Sequence, residues 1–154
     1  MEPAVIPEEL EAPVSFDWRK HGVVTPVKNQ CMCGSCWAVS TTGNVECQWA
    51  IKHKQLYSLS EQELVVCDAT DDGFNGGLPE NDYEAIAKLG GLELEDDYQY
   101  DGEDEQCNFN RSLANVTVNG SVEMPADEVA IAKWLTQNVP ISIGINDNAL
   151  QFYV

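Results

Sequence analysis

The residues best suited to covalent chemistry lie at positions 30–37, in the run QCMCGSCW. Cys36 follows Ser35, a residue type that often caps helices, and it opens a stretch of helix-compatible residues without Gly or Pro. The first turn of a helix offers unpaired amides and the positive end of the helix dipole, and both favour a thiolate. Since the thiolate is the nucleophilic form of cysteine, we predict that Cys36 attacks a carbonyl carbon.

Two hydrogen-bond donors accompany this thiol. The backbone N–H of Cys36 itself can point at a developing oxyanion, and Gln30 carries a side-chain amide six residues upstream. A tight loop through Gly34 would fold that amide back towards the thiol. Two donors beside a thiolate are the requirements of an acyl-transfer site.

Three other interpretations of the cysteines stay open at this point. Cys33 and Cys36 form a C-x-x-C pair, which suggests a redox site when it lies near a β-α-β unit. The candidate strand before it, residues 23–27, is short and contains a proline, so that such a unit is not evident. A zinc site would need Cys47, which lies eleven residues past Cys36, about 16 Å along a helix axis. Plain buried thiols would suit Cys47 best and Cys36 least.

Helical patterns are needed to position these groups. The sequence predicts helices over residues 35–52, 79–89 and 126–138, and a further helix that begins at Ser60. Glu63 would complete a capping box with Ser60. Gly90 would end the helix over residues 79–89. Val122 looks extended, and residues 141–145 alternate with small residues as a strand does. An α-rich part therefore precedes the start of a β-rich part.

Composition excludes several classes of function. The formal net charge is −18, and residues 60–128 hold 19 acidic side chains against two basic ones, Lys88 and Arg111. Nucleic acids and anionic membranes are poor partners for such a surface. No apolar run approaches the length of a membrane span. A solvated acidic face is the simplest explanation, and adaptation to an acidic compartment is the functional alternative.

Three N-glycosylation acceptors occur within a short polar stretch, at Asn110, Asn115 and Asn119. Their clustering indicates a surface loop of a protein that enters the secretory pathway. The N-terminal residues show neither the basic nor the apolar region of a signal peptide. We therefore predict that these residues contain no signal peptide.

Several segments together resemble the papain-like cysteine peptidases. The run QCMCGSCWA is similar to their active-site signature. Residues 15–28, 59–67, 75–79 and 140–146 resemble successive segments of the family in the same order, so that the likeness covers about 140 of the 154 residues. Runs such as GNVECQW and GGLPENDYEAI are most similar to the cathepsin F branch.

The resemblance implies an α+β, two-lobed fold. It assigns residues 1–14 to a linker or to the end of a pro-segment, and residues 15–154 to a peptidase domain that stops before its C-terminal part. Within that domain, residues 25–118 would form a complete α-rich lobe and residues 119–154 the start of an incomplete β-rich lobe.

The resemblance also assigns roles to residues around Cys36 and Gln30. Gly76 and Gly77 would form a backbone edge that pairs with an extended peptide, although the Asn-Gly-Gly run alone would suit an ordinary turn. An apolar pocket would take the substrate side chain two residues before the cut, with Leu, Phe or Val preferred. Its walls would be Leu78, Pro79 and Gly144.

For the remaining cysteines, the resemblance pairs Cys67 with Cys107. The usual partner of Cys33 would stand just before the Asn-Gly-Gly run, where this chain has Phe74. We expect Cys31, Cys33 and Cys47 to be free thiols or to pair in a rearranged way.

The family's catalytic His and Asn lie about 130 to 150 residues beyond the cysteine. The histidines present, His21 and His53, match neither position. We therefore expect a cysteine endopeptidase domain with little or no activity as this chain alone. A non-catalytic module that binds peptides or inhibitors is the alternative.

The remaining expectations concern partners and location. The family implies peptide or protein substrates, with cystatin-like inhibitors and the protein's own pro-segment as further partners. We expect no cofactor, no metal, no nucleic acid and no membrane partner, a monomeric state, and a lysosomal or extracellular location.

Overall fold

Helix α1, Cys36–His53, is the central element of this computed structural model, which describes residues 1–7, 9 and 11–146. It packs against α2, Glu61–Cys67, and α3, Pro79–Leu89, and these two helices also contact each other. A fourth helix, α4, spans Glu128–Gln137. Short 3-10 helices occupy Trp18–His21 and Gly73–Asn75.

Apolar side chains from these three helices and the following loops form one buried cluster. Leu59, Leu64, Ile86 and Leu92 are fully enclosed. The rest of the cluster consists of Trp37, Ala38, Val45, Val65 and Val116. Because Trp37 is adjacent to Cys36, the packing of this core fixes the N-terminal end of α1.

The helix ends follow the local sequence signals closely. Pro79 is the first residue of α3, and Gly90 ends the helix with a φ of 96°, in the left-handed region that favours glycine. The predicted capping box is half right. Ser60 Oγ accepts a hydrogen bond from the N–H of Glu63 at 2.9 Å, but the Glu63 carboxylate turns away to accept from the N–H of Glu93 at 2.7 Å.

Two short strands pair in parallel, β1 at Glu2–Pro3 and β2 at Val122–Glu123. The N–H of Ala4 extends this pairing with a 2.8 Å bond to the Glu123 carbonyl. The N-terminal residues that we assigned to a linker thus contribute a strand. No helix of the described residues combines the length and the apolar character needed to cross a membrane.

The strand that we predicted over residues 141–145 is wrong, because residues 141–146 form no strand in the structure. A strand requires a hydrogen-bonded neighbour, and side chains hold this segment instead. Asn44 donates to the Pro140 carbonyl at 2.6 Å, while the Ser142 hydroxyl bonds to Ser40 and Tyr83.

Candidate active site

Cys36 is the first residue of α1, and its side chain is exposed. Ser35 occupies the N-cap position as predicted, but its hydroxyl makes no bond to the helix. That hydroxyl lies 2.7 Å from the phenol oxygen of Tyr100. The amides of the first turn are therefore not used by a capping side chain and can face a developing negative charge beside Cys36.

Gln30 is held by bonds at both its backbone and its side chain. Its side-chain nitrogen donates to the Cys33 carbonyl at 2.6 Å, and its own carbonyl accepts from the N–H of Cys33 at 3.3 Å. A primary amide has two N–H groups, so one remains for an oxyanion.

Tyr100 is the positioning residue that sequence reasoning missed. Its hydroxyl donates to the Gln30 carbonyl at 3.0 Å, so Ser35 must be the donor in the bond between the two hydroxyls. Burial raises the pKa of the Tyr100 phenol, which keeps it neutral. Tyr100 stands 65 residues or more from these partners and belongs to no motif that would reveal it.

The Asn-Gly-Gly loop, residues 73–77, packs directly on the cysteine loop, residues 30–37. The N–H of Gly34 donates to the Phe74 carbonyl at 2.7 Å, and a Cβ at Gly34 would lie only 2.7 Å from that same oxygen. A Cβ at Gly77 would lie 2.6 Å from the ring of Trp37, whose indole nitrogen donates to the Gly73 carbonyl at 3.2 Å. This close approach explains why glycine occupies both positions.

The predicted substrate residues divide between two places. Gly76, with a φ of 138°, adjoins the cysteine loop at Gly34, and Gly77 adjoins it at Trp37. Leu78, Pro79 and Gly144 instead line one wide groove between α1, α3 and the segment after α4. Leu78 is 54% exposed there, and no atom lies within 4 Å of the position that a Cβ on Gly144 would occupy. This groove is apolar and open at the predicted pocket.

Neither histidine accompanies the thiol. His53 ends α1 and stacks on Trp49 at 3.9 Å, about 25 Å along the helix axis from Cys36. His21 stacks on Phe16 at 5.2 Å in the first 3-10 helix. Among the described residues, no hydrogen bond joins an imidazole to Cys36.

A disulfide joins Cys67 to Cys107, across 40 residues of sequence. It ties the end of α2 to the loop that carries the sequons. The three sequon asparagines, Asn110, Asn115 and Asn119, are exposed.

The other four cysteines are free thiols. Cys33 donates to the Gly102 carbonyl at 3.1 Å, while Cys31 is exposed and adopts a φ of 57°. Burial raises the pKa of the Cys47 thiol to about 11, so that it stays protonated. Within the described part of the chain, no three cysteine sulfurs lie close enough to share a metal ion, which rules out the zinc interpretation there.

Comparison with known proteins identifies the family of this site. Residues 12–154 match the family described as papain family cysteine protease. The chain belongs to this family. It is 56% identical to cathepsin F of Mus musculus over 153 residues and 53% identical to cathepsin F of Drosophila melanogaster over 152 residues. The predicted resemblance to the cathepsin F branch is thereby confirmed.

These matches cover nearly the whole chain but a limited part of each relative. They span 99% of this chain and 33% of the mouse protein, and 97% of this chain and 25% of the fly protein. The chain thus spans between a quarter and a third of the length of these two papain family relatives.

Solved structures show the same fold. Digestive procathepsin L 3 of Tenebrio molitor larval midgut superposes with a TM-score of 0.82 at 35% identity, over 88% of this chain and 44% of that one. Digestive procathepsin L2 proteinase of the same midgut superposes with a TM-score of 0.84 at 29% identity. The match covers 96% of this chain and 54% of that one. The predicted α+β, papain-like fold class is confirmed.

Proposed function

We propose that this chain carries the nucleophile and the oxyanion donors of a cysteine-type endopeptidase. The Cys36 sulfur forms a bond to the substrate carbonyl carbon, and the thiol proton leaves with the amine product. Water then hydrolyses the thioester to release the acid and regenerate the thiol. The oxyanion formed in each step accepts hydrogen bonds from Gln30 and the backbone of Cys36.

The observation that carries this proposal is the packing of Gly34 and Trp37, on either side of the exposed Cys36, against the residues of the Asn-Gly-Gly loop. Gly34 and Gly77 permit that contact, and Tyr100 locks the carbonyl of Gln30 from the other side. These contacts support a site in which the Cys36 thiol, the Gln30 amide and a backbone edge for an extended peptide act together.

Neither histidine of the described residues serves as the proton acceptor in this proposal. His21 and His53 are committed to aromatic partners away from Cys36. The polypeptide of these 154 residues is therefore expected to bind substrate more readily than it cleaves it.

The substrate preference follows from the groove. Leu78 and Pro79 offer an apolar wall and Gly144 leaves space opposite, so an apolar side chain two residues before the cut fits best. Peptides and proteins are the substrates, and cystatin-like inhibitors or a pro-segment would occupy the same cleft. A lysosomal or extracellular location suits the net charge of −18, since acid would relieve repulsion among the carboxylates.

A peptidyl aldehyde with Leu at the second position tests the proposal. We expect it to form a reversible thiohemiacetal with the wild-type chain and with the matched control Cys31→Ser, detected by calorimetric titration and by mass spectrometry under non-denaturing conditions. Cys36→Ala should show no adduct, and Gln30→Ala should bind about tenfold more weakly, because one oxyanion donor is lost.

Two results would contradict the proposal. Equal aldehyde affinity in Cys36→Ala would favour the non-catalytic binding module. Rapid hydrolysis of a Leu-containing fluorogenic peptide by the 154-residue chain, lost in Cys36→Ala, would show that the proton acceptor lies within it.

A further inference from the structure

Three aspartates converge beneath the Asn-Gly-Gly loop. Asp68 follows α2, Asp71 lies in the next loop and Asp82 belongs to α3. Each offers a carboxylate oxygen, and these oxygens lie within 4.8 Å of one another. Asp82 is completely buried, and Asp68 is 8% exposed.

Four buried oxygens of this aspartate cluster accept no hydrogen bond from the described residues. Asp68 Oδ1 accepts from the N–H of Thr70, and Asp71 Oδ1 accepts from the Asn81 amide, both at 2.7 Å. The Oδ2 atoms of both residues and both oxygens of Asp82 remain without a partner.

Thr41 is the nearest hydroxyl to Asp82, and it favours the ionised form of that side chain. Its single proton, however, is donated to the Trp37 carbonyl at 3.0 Å. The completely buried Asp82 carboxylate thus faces two other carboxylates without a donor of its own.

Burying carboxylates in this way costs several kcal/mol unless positive charge compensates them. Burial, followed by the charges of Asp68 and Asp71, raises the pKa of Asp82 to about 8. Burial also raises the pKa of Asp68, with Asp71 adding to the effect. Lys28, which is partly buried, is bonded to Glu46 and Glu61 instead.

We propose that Asp68, Asp71 and Asp82 form a calcium-binding site. Carboxylate oxygens are the ligands that Ca²⁺ prefers, and Ca–O bonds of 2.3–2.6 Å on either side of an ion bridge oxygens up to about 5 Å apart. Mg²⁺, with bonds of 2.0–2.1 Å, spans only about 4 Å. This proposal replaces the expectation from sequence that the chain holds no metal.

The position of the site connects it with the substrate edge. The Cγ atom of Asp71 lies 2.7 Å from the point that a Cβ on Gly77 would occupy, on the same side as the Trp37 ring. A bound ion would hold the loop between Asp68 and Gly77 against α3. It would thereby stiffen the backbone to which an extended peptide pairs.

Calorimetric titration of the metal-free 154-residue chain with CaCl₂ tests the site, with MgCl₂ as the comparison ion. The variant is Asp82→Asn, which keeps the shape of the side chain and removes its charge. The matched control is Asp72→Asn, an exposed aspartate of the same loop whose side chain makes no capping bond.

We expect wild type and Asp72→Asn to bind one Ca²⁺ with affinities within twofold of each other, and Mg²⁺ at least tenfold more weakly. Asp82→Asn should lose at least tenfold in Ca²⁺ affinity. Saturating Ca²⁺ should raise the thermal midpoint of the first two proteins only, because a ligand stabilises the state that binds it.

Absence of calcium binding by the wild-type chain would overturn the proposal and indicate that the three carboxylates share protons instead. Unchanged affinity in Asp82→Asn would also overturn it, since the ion would then bind elsewhere. If Asp82→Asn loses its helical circular dichroism, Asp68→Asn takes its place and is compared with Asp72→Asn. A loss of at least tenfold in Ca²⁺ affinity then supports the site, and an unchanged affinity overturns it.

Discussion

The α-rich lobe buries its acidic side chains in two different ways. In the lysine cluster, Glu46 and Glu61 enclose Lys28, whereas the aspartate cluster contains carboxylates alone. Both lie within the packing of α1, α2 and α3. The difference shows that the side chains of the folded chain supply a cation to one buried acidic cluster and not to the other.

The lysine cluster is compensated within the chain. Lys28 Nζ donates to Glu46 at 2.6 Å, to the Leu59 carbonyl at 3.2 Å and to Glu61. Burial alone would lower the pKa of Lys28, but the charges of Glu61 and Glu46 outweigh it and raise that pKa. One lysine cannot neutralise two carboxylates, so burial still raises the pKa of Glu61.

Removal of the shared cation should have the largest effect on stability. We expect Lys28→Met to lower the free energy of unfolding by about 3–5 kcal/mol at pH 7, because it leaves two buried carboxylates without a positive charge beside them. Urea unfolding followed by circular dichroism measures this change. Lys20→Met, at an exposed position, should change the same quantity by less than about 0.5 kcal/mol. Equal losses in both variants would show that Lys28 acts as a surface residue.

Glu63 tests whether a proton can replace the cation. It is completely buried, its Oε1 has no partner, and the neighbouring carboxylate is that of Glu93. Burial raises the pKa of Glu63 from 4.5 to about 8, although the hydrogen bond from the Glu93 N–H lowers it, and the charge of the Glu93 carboxylate adds a smaller increase. Between these values the folded chain holds a proton that the unfolded chain has lost, so stability should fall as the pH rises through this window.

We therefore expect Glu63→Gln to flatten the decline in unfolding free energy between pH 5 and pH 8, and to be the more stable protein at pH 8 by about 1–3 kcal/mol. Near pH 4 the two proteins should differ little. The measurement is urea unfolding at a series of pH values in calcium-free buffer. In the control Glu84→Gln, at an exposed position of α3, the unfolding free energy should depend on pH as it does in the wild type. If Glu63→Gln also showed the wild-type dependence, the decline could not be assigned to the raised pKa of Glu63.

The smallest effect is expected where the acid is not buried. Lys88 and Glu84 form an i,i+4 pair on α3 at 3.7 Å, with both side chains about 70% exposed. Lys88→Ala should therefore change the free energy of unfolding by less than about 0.5 kcal/mol, and added salt should reduce that change further. A loss comparable to that of Lys28→Met would remove the distinction between buried and exposed pairs.

Local signals were sufficient to predict much of the helical framework. Pro79 and Gly90 mark the ends of α3, and the two ends of α1 differ from the prediction by one residue each. These ends depend on backbone geometry and on the nearest neighbours in sequence. The strand predicted over residues 141–145 failed because a strand depends on a pairing partner, which a one-dimensional pattern does not provide.

The site divides in the same manner. The cysteine run and the Asn-Gly-Gly run are visible as motifs, but the contact of Gly34 with Phe74 and of Gly77 with Trp37 depends on packing. Tyr100 could not be found from sequence, because its role is a pair of hydrogen bonds across 65 to 70 residues.

The sequence by itself determined where most helices begin and end and which family the chain belongs to, and it supplied Cys36 as the proposed nucleophile. These are properties of short segments, where cap residues, Gly and Pro act on their own neighbours. Only the tertiary structure decided which acids are buried, which of them Lys28 compensates, and that Asp68, Asp71 and Asp82 meet beside the Asn-Gly-Gly loop. Charge compensation depends on distance in space, and distant segments acquire it only when the core packs.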